Sequence, residues 1–194
     1  PNANGSITSQ VSANPTAGFS IVSYTGTGAN ATVGHGLGKA PKFIIVKNRD
    51  DGGTSGATNG TWKVYHGSLP SNKYFTLNNT SAATLDDSVS TTAWNNTRPT
   101  NDVFSLGNFN STNGSSDDMI AYCWAEIEGY SKIGSYYGSG NTQDNTFVYC
   151  GFKPAWIMIK GQGSGDLSWA IYDSSRDPIN VVYHDLAADL SNVE

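Results

Sequence analysis

Residues Ala40-Pro41-Lys42-Phe43-Ile44-Ile45-Val46-Lys47 return downstream as Lys153-Pro154-Ala155-Trp156-Ile157-Met158-Ile159-Lys160. In each stretch a proline lies shortly before four consecutive apolar residues, a run with the length of a strand. Successive side chains of a strand point to opposite faces, so a run that is apolar throughout must be buried on both faces. The first stretch therefore predicts a central strand of a sheet, and the second predicts another strand.

The sequence around this stretch repeats as well, in the same order. Blocks at 18–20, 24–28, 40–47 and 62–66 recur at 129–131, 136–140, 153–160 and 169–173. The spacing is roughly 110 residues, within which each copy is expected to form one structural unit. Four matching blocks in one order are hard to obtain by chance, and they predict tandem pseudo-repeats.

The two copies differ in how far they extend. The first continues through Trp94, Phe104 and a predicted strand at 119–124, whereas the second reaches Glu194 with no counterpart of these features. We therefore expect a polar linker or arm over residues 1–17, a first β repeat over 18–128 and a truncated second repeat over 129–194. On this interpretation the chain is a piece of a longer protein.

The composition indicates an all-β fold. The chain has 22 glycines and only 14% charged residues, while aromatic residues make up 11%, which is too many for a disordered chain. Short apolar and β-branched runs alternate with Gly, Ser, Thr and Asn turns along most of its length. This pattern predicts antiparallel sheets of the β-sandwich or jelly-roll type.

Charge and cysteine content narrow the possible partners. The formal net charge is -5, so no basic field is available to gather phosphates, and we expect no nucleic-acid binding. The apolar runs are too short for a membrane span, and we expect no membrane insertion. Cys123 and Cys150 each lie in an apolar run and are interpreted as buried free thiols, which leaves the redox compartment undecided.

No motif in the sequence predicts an active site. Gly26-Thr27-Gly28-Ala29-Asn30-Ala31 superficially matches a dinucleotide fingerprint, but the residues that follow cannot form the helix that would hold a pyrophosphate. The three histidines, His35, His66 and His184, lack partners at metal-ligand spacing. We therefore expect no enzymatic activity and no cofactor, with calcium as the one possible exception.

Calcium is suggested by three pairs of adjacent acids in Gly-, Ser- or Thr-rich loops. In a loop both carboxylates of a pair can turn toward one hard cation, although solvated turn residues are the commoner explanation. The pairs are Asp50 with Asp51, Asp86 with Asp87, and Asp117 with Asp118.

The aromatic residues suggest a different kind of site. Trp62 with Tyr65 and Trp169 with Tyr172 occupy equivalent positions of the two copies, and core packing is the expected role for both pairs. Trp94 instead lies in a polar stretch, next to Asn95 and Asn96. An indole can stack on a sugar ring while amides bind its hydroxyls, so these three residues form a candidate glycan site.

The motifs at 18–28, 33–41, 64–66 and 121–125, the last followed by Gly129-Tyr130-Ser131, resemble a known family. It is a duplicated domain of unknown function that recurs in large virion-surface and tail-fibre-like proteins of tailed phages, mainly marine ones. The resemblance covers residues 18–194. It implies a fibre or surface protein of the particle, but no established chemistry.

We accordingly expect a virion structural protein, located on the virion surface or otherwise outside the cell, that serves host attachment or particle decoration. Its expected partners are further copies of itself, other virion proteins and, for attachment, a host surface glycan. Two alternatives remain open at this point. One is a lectin-like carbohydrate-binding module, and the other is a polysaccharide-degrading tail-spike domain, which would need two carboxylates facing each other across a groove.

Overall fold

The apolar run at residues 43–46 lies inside a seven-stranded antiparallel sheet in the computed structural model of the protein. The structure describes residues 1–51, 60–85, 92–140, 146–162, 167–179 and 182–191. Over these residues the architecture is all-β and resembles a β-sandwich, with one helical turn. None of the described helical residues forms a segment that is long and apolar enough to cross a membrane.

The elements of the described chain follow one another in this order: β1 (Gln10–Asn14), β2 (Phe19–Thr25), β3 (Ala31–Gly34), β4 (Phe43–Asn48), β5 (Lys63–His66), β6 (Lys73–Thr76), β7 (Thr84–Leu85), β8 (Val103–Leu106), α1 (Asn110–Asn113), β9 (Asp118–Trp124), β10 (Trp156–Lys160), β11 (Trp169–Asp173) and β12 (Leu186–Ala187). The large sheet has the order β1-β2-β9-β4-β5-β6-β7, the second sheet β10-β11-β12, and β3 pairs with β8.

The central position predicted for β4 is confirmed. It pairs with β9 on one side, where Ile44 lies opposite Cys123, and with β5 on the other, where Ile44 lies opposite Tyr65. Ile44 and Ile45 are both buried although they point to opposite faces. The large sheet therefore carries apolar packing on both of its faces.

Part of the range 1–17, expected to be a polar linker or arm, belongs to this sheet. Gln10–Asn14 form β1, which pairs along its length with β2. Ile7 is buried in the main core and bridges to Val33. The expectation of a polar linker or arm was wrong for these residues, because an edge strand needs few apolar residues when only one of its edges and part of one face are covered.

The main core lies between one face of the large sheet and the β3–β8 pair. Side chains from alternate positions of β2, β4 and β9 fill it, together with Phe104, Leu106 and Trp94. Tyr24 closes one end of this core, where its hydroxyl donates a hydrogen bond to the carbonyl of Thr112 at 2.6 Å.

The second sheet packs on the opposite face of the large sheet. Trp169 of β11 is 3% exposed and contacts the ring of Phe75 edge to face, with a centroid separation of 5.4 Å. Its indole Nε1 also donates a hydrogen bond to the Thr76 carbonyl at 3.0 Å. This one side chain therefore supplies both apolar and polar contacts between the two sheets.

Trp169→Ala is expected to loosen the second sheet without unfolding the first. Removing the indole deletes the contact with Phe75 and leaves the Thr76 carbonyl without this donor. Amide hydrogen exchange in β10 and β11 should become at least about ten-fold faster, because local opening then costs less free energy. Exchange in β2 and β9 serves as the internal control, and equal acceleration there would contradict the prediction.

Candidate functional site

Five aromatic side chains form a half-buried patch on the face of the large sheet that points away from the main core. We call this patch the aromatic face. Trp124 is at its centre, 5.0 Å from the ring of Phe19 and 5.5 Å from the ring of Phe43. Tyr122 lies 6.4 Å from Trp124, and Trp62 stacks on Tyr122 at 6.5 Å.

Strand register explains why these rings meet. Phe19 of β2 and Phe43 of β4 lie directly opposite Trp124 of β9, one on each side. Directly opposed residues of antiparallel strands share a face and lie within side-chain contact. Ile21, which is 37% exposed, lies opposite Tyr122 on the same face. The sequence analysis missed this patch because its members are far apart in sequence and only strand order brings them together.

An ion pair lies at the end of β9, close to the aromatic face. Lys42 donates a hydrogen bond to the Glu126 carboxylate. Partial burial opposes ionisation of Glu126, but the hydrogen bonds from Lys42 and from the Ile133 amide outweigh it and lower the pKa of this carboxyl. Half of the Lys42 side chain is exposed, so the pair contributes little to stability.

A shallow cleft of about 230 Å³ lies near this ion pair, lined in part by Tyr65, Arg98 and Ile133. The guanidinium of Arg98 donates hydrogen bonds to the carbonyls of Gly67 and Leu69, at 2.8 and 3.2 Å. Through these hydrogen bonds Arg98 holds the turn after β5. This structural role accounts for the position of Arg98 in the cleft without a ligand.

The structure places Trp94 in the main core, which contradicts its predicted role in stacking on a sugar. The side chain is 1% exposed and contacts the ring of Tyr65 edge to face at 5.8 Å. Asn95 and Asn96 follow with φ of 48° and 47°, the left-handed conformation that asparagine tolerates in turns. Two turn-forming asparagines thus allow the chain to bury Trp94 and return at once to the surface, which local sequence polarity did not reveal.

The four predicted calcium ligands that the structure describes, Asp50, Asp51, Asp117 and Asp118, lie near the Asn48 side chain and are linked by hydrogen bonds. The Asp50 carboxylate accepts a hydrogen bond from the Asp118 amide at 2.6 Å, and Asp117 accepts one from the Asn48 side chain at 2.7 Å. The backbone amide of Asp51 donates to the Asn48 side chain at 3.2 Å. Asp86 and Asp87 lie outside the described residues. Within the described ranges no three acidic, histidine or cysteine side chains come together as metal ligands.

Two histidines accept hydrogen bonds from backbone amides and are held in the neutral form. His35 is fully buried, and its Nδ1 accepts from the Leu37 amide at 3.2 Å while Nε2 lies 3.1 Å from the Thr100 carbonyl. Burial lowers the pKa of His35, more than the Thr100 carbonyl and Asp102 raise it. His66 Nδ1 likewise accepts from the Ser68 amide, and burial lowers its pKa too.

Stability is therefore expected to fall as the pH is lowered from about 7 to about 5. The pKa of His35 is lower in the folded chain than its ordinary value of about 6.5, so the unfolded chain takes up the proton first and is favoured as pH drops. For His35→Asn, the free energy of unfolding measured in urea should change less steeply with pH over this range than it does for wild type. The pH dependence that persists in this variant is attributed to His66. An unchanged slope would show that His35 does not titrate differently on folding.

Neither described cysteine is in a disulfide. Cys123 is buried in β9, where burial raises the pKa of its thiol to about 12, and Cys150 is half-buried and free. A thiol with so high a pKa carries almost no thiolate at neutral pH, so Cys123 is a packing residue.

The second sheet has an open edge. β10 pairs with β11 on one side, and no strand of the described chain pairs with it on the other. Trp156 and Ile157 of β10 are 56% and 41% exposed. The exposed large apolar side chains of the described chain, Ile21 excepted, lie after residue 129: Tyr130, Tyr136, Tyr137, Phe147, Val148, Tyr149, Trp156, Ile157, Leu167, Ile179, Val182, Tyr183 and Leu190.

Comparison with known proteins gives a family and no function. No curated protein matches this chain, and no solved structure matches it. One family profile does match, over residues 1–194, and it thus includes residues 10–14, which the structure places in the large sheet as β1. The chain belongs to the family described as a domain of unknown function, DUF7483.

Proposed function

We propose that residues 129–194 repeat part of the unit formed by residues 18–128. The strongest support is strand register. Phe43 lies opposite His66 in the β4–β5 pair, and the equivalent residues Trp156 and Asp173 lie opposite each other in β10–β11. The third strands, β6 and β12, continue the same correspondence, since Phe75 pairs with Val64 as Leu186 pairs with Ile171.

Individual hydrogen bonds also recur at equivalent positions. The Leu77 amide donates to the Trp62 carbonyl at 2.9 Å, and the Ala188 amide donates to the Trp169 carbonyl at 3.3 Å. The Trp62 amide donates to the Asn78 side chain at 3.1 Å, as the Trp169 amide does to Asp189 at 3.0 Å.

The same correspondence explains a substitution that the repeat contains. His66 of the first copy is replaced by Asp173 in the second, which looks unconservative. Both side chains accept a hydrogen bond from the amide two residues later, at Ser68 and at Ser175, at 3.1 and 3.0 Å. Neutral histidine and aspartate are therefore interchangeable as turn acceptors here.

We further propose that the protein is a structural, non-catalytic module on the surface of a tailed-phage virion. It would act in a fibre or on the head or tail surface, outside the cell, in host attachment or particle decoration. The observation that carries this proposal is the concentration of exposed aromatic and aliphatic side chains after residue 129. Large exposed apolar patches mark surfaces that other proteins cover. The partners are thus copies of the chain and other virion proteins, in keeping with the family resemblance.

The test is quantitative mass spectrometry of purified particles from a phage that encodes this protein. The proposal expects the protein in a fixed number of copies per particle, and cross-linking should join residues after 129 to other virion proteins. A protein that is made during infection but missing from purified particles would overturn the virion assignment.

A carbohydrate-binding module is the second candidate, favoured by the aromatic face. Partly exposed rings side by side on a rigid sheet can stack on sugar rings, and repeated weak contacts on a particle add up to firm attachment. Trp124→Ala removes the central ring and is expected to abolish binding to purified host surface polysaccharide. Ile21→Ala, on the same face and exposed, should retain it. Equal binding by wild type and Trp124→Ala would exclude this face as the glycan site.

A further inference from the structure

We infer that the open edge of β10 binds an antiparallel strand with the sequence pattern of β9, supplied by a member of this same domain family. The inference rests on the proposed repeat, because the first copy shows which strand lies beside the equivalent of β10. In the first copy β9 lies between β2 and β4, and pairs with both over their full length. In the described part of the second copy, β10 has β11 beside it and an open edge on its other side.

The counterpart of β2 gives independent support. Gly18-Phe19-Ser20 begins β2, whereas the equivalent Gly129-Tyr130-Ser131 begins a segment, residues 130–136, that forms no strand and has one bridging residue, Ser131. Phe19 is half-buried beside Trp124, but Tyr130 is 65% exposed. One missing neighbour, a strand of the β9 type, accounts both for the open edge of β10 and for the absence of a strand at 130–136.

Two equivalent glycines are in the same conformation in different surroundings. Gly18 and Gly129 have φ of +68° and +73°. A Cβ on Gly18 would lie 2.3 Å from the carbonyl oxygen of Ala125, just after β9, whereas a Cβ on Gly129 would meet nothing within 4 Å. The backbone of the second copy thus retains the turn that the first copy uses to fit against the end of β9.

Backbone direction shows which amides face the open edge. The Ser174 amide donates a hydrogen bond to the Ala155 carbonyl, so the backbone amide and carbonyl of Ala155 point toward β11. Because these backbone groups alternate in direction along a strand, those of Trp156 and Met158 point toward the open edge. In the first copy the Arg49 amide, just after β4, donates a hydrogen bond to the carbonyl of Asp118, the first residue of β9. The equivalents of Trp156 and Met158 are Phe43 and Ile45, which alternate with Arg49 and therefore face β9.

Side-chain exposure agrees with this assignment. Ile44 is fully buried beside Cys123 of β9, while its equivalent Ile157 is 41% exposed. A strand of the β9 type would lie beside Ile157 on its open side. By the register of the first copy, residue 124 of the added strand would lie opposite Trp156, and residue 122 opposite Met158.

The test uses the full chain and a fluorescent synthetic peptide with the sequence of residues 117–126, under reducing conditions. We expect saturable 1:1 binding by fluorescence anisotropy, and no binding of a scrambled peptide. Amide exchange should slow at 156–160 and at 130–136 when the peptide binds. Exchange that slows only at another sheet edge, such as β1, would overturn the inference.

Two variants at one position separate strand pairing from side-chain packing. Met158→Pro removes the outward amide and spares the bonds to β11, because proline is tolerated on the free side of an edge strand. Met158→Ala loses the same side chain but keeps the amide. Peptide affinity should be at least about ten-fold weaker for Met158→Pro than for Met158→Ala, since a backbone hydrogen bond is lost. Equal affinities of the two variants for the peptide would contradict strand addition. Unchanged amide hydrogen exchange at 169–173 in Met158→Pro is the control that β11 remains folded.

Two further outcomes would overturn the inference that this edge binds a strand of the β9 type. If the chain dimerises, and Met158→Pro abolishes the dimer while the peptide fails to compete, the occupant is the β10 edge of a second copy. If the peptide does not bind while the protein is present in fixed copy number on particles, the strand-addition inference fails and the virion assignment stands. If the peptide binds but the protein is absent from purified particles, the strand-addition inference stands and the virion assignment fails.

Discussion

Replacing Trp94 with alanine will lower the free energy of unfolding by about 3–5 kcal/mol, the range for truncating a fully buried tryptophan. The indole is 1% exposed and lies in the main core against Tyr65. Its removal leaves a cavity that the surrounding strands cannot close, since β4 and β5 are held by pairing on both sides. Urea unfolding monitored by circular dichroism measures the change.

Trp94→Phe is the matched control for this prediction. Among the described residues the Trp94 Nε1 has no hydrogen-bond partner, so replacing the indole with a phenyl ring sacrifices no polar contact. We expect the loss for Trp94→Phe to be less than half that for Trp94→Ala. A Trp94→Ala protein as stable as wild type would mean that the side chain is exposed, and would restore Trp94 as a candidate for glycan stacking.

Replacing Asn113 with alanine is expected to cost about 2–4 kcal/mol, because it removes three hydrogen bonds of a buried side chain and leaves the buried Gly107 carbonyl without this donor. Asn113 is fully buried in α1. Its amide nitrogen donates to the carbonyls of Ala29 and Gly107, at 2.6 and 2.7 Å, and its oxygen accepts from the Thr27 amide at 2.8 Å. One side chain thus joins the turn after β2 to the end of β8.

Asn110→Ala provides the comparison within the same helical turn. The Asn110 side chain is exposed, so its truncation should change the free energy of unfolding by no more than about 0.5 kcal/mol. Asn113→Asp should be at least as destabilising as Asn113→Ala at neutral pH, since a carboxylate cannot donate to the two carbonyls. If all three variants unfold at the same urea concentration as wild type, the buried network does not contribute to stability.

Sequence alone predicted those features that depend on neighbours along the chain. Runs of apolar and β-branched residues bounded by turn residues were sufficient to identify β4, β9 and β10 as strands, and the apolar run at 43–46 placed β4 inside a sheet. Alternation and turn chemistry are local properties, so a strand can be recognised without knowledge of its partners. The all-β class followed from the same patterns.

The tertiary structure alone decided which residues meet and which are covered. Trp94 has polar neighbours in the sequence, yet its side chain is buried in the fold, because the turn at Asn95 and Asn96 directs that side chain inward. The aromatic face exists only because β9 is inserted between β2 and β4, strands that end at Thr25 and Asn48, far before β9 begins at Asp118. Burial and side-chain contact depend on strand order and register, and these are set by the packing of the whole chain rather than by any single segment.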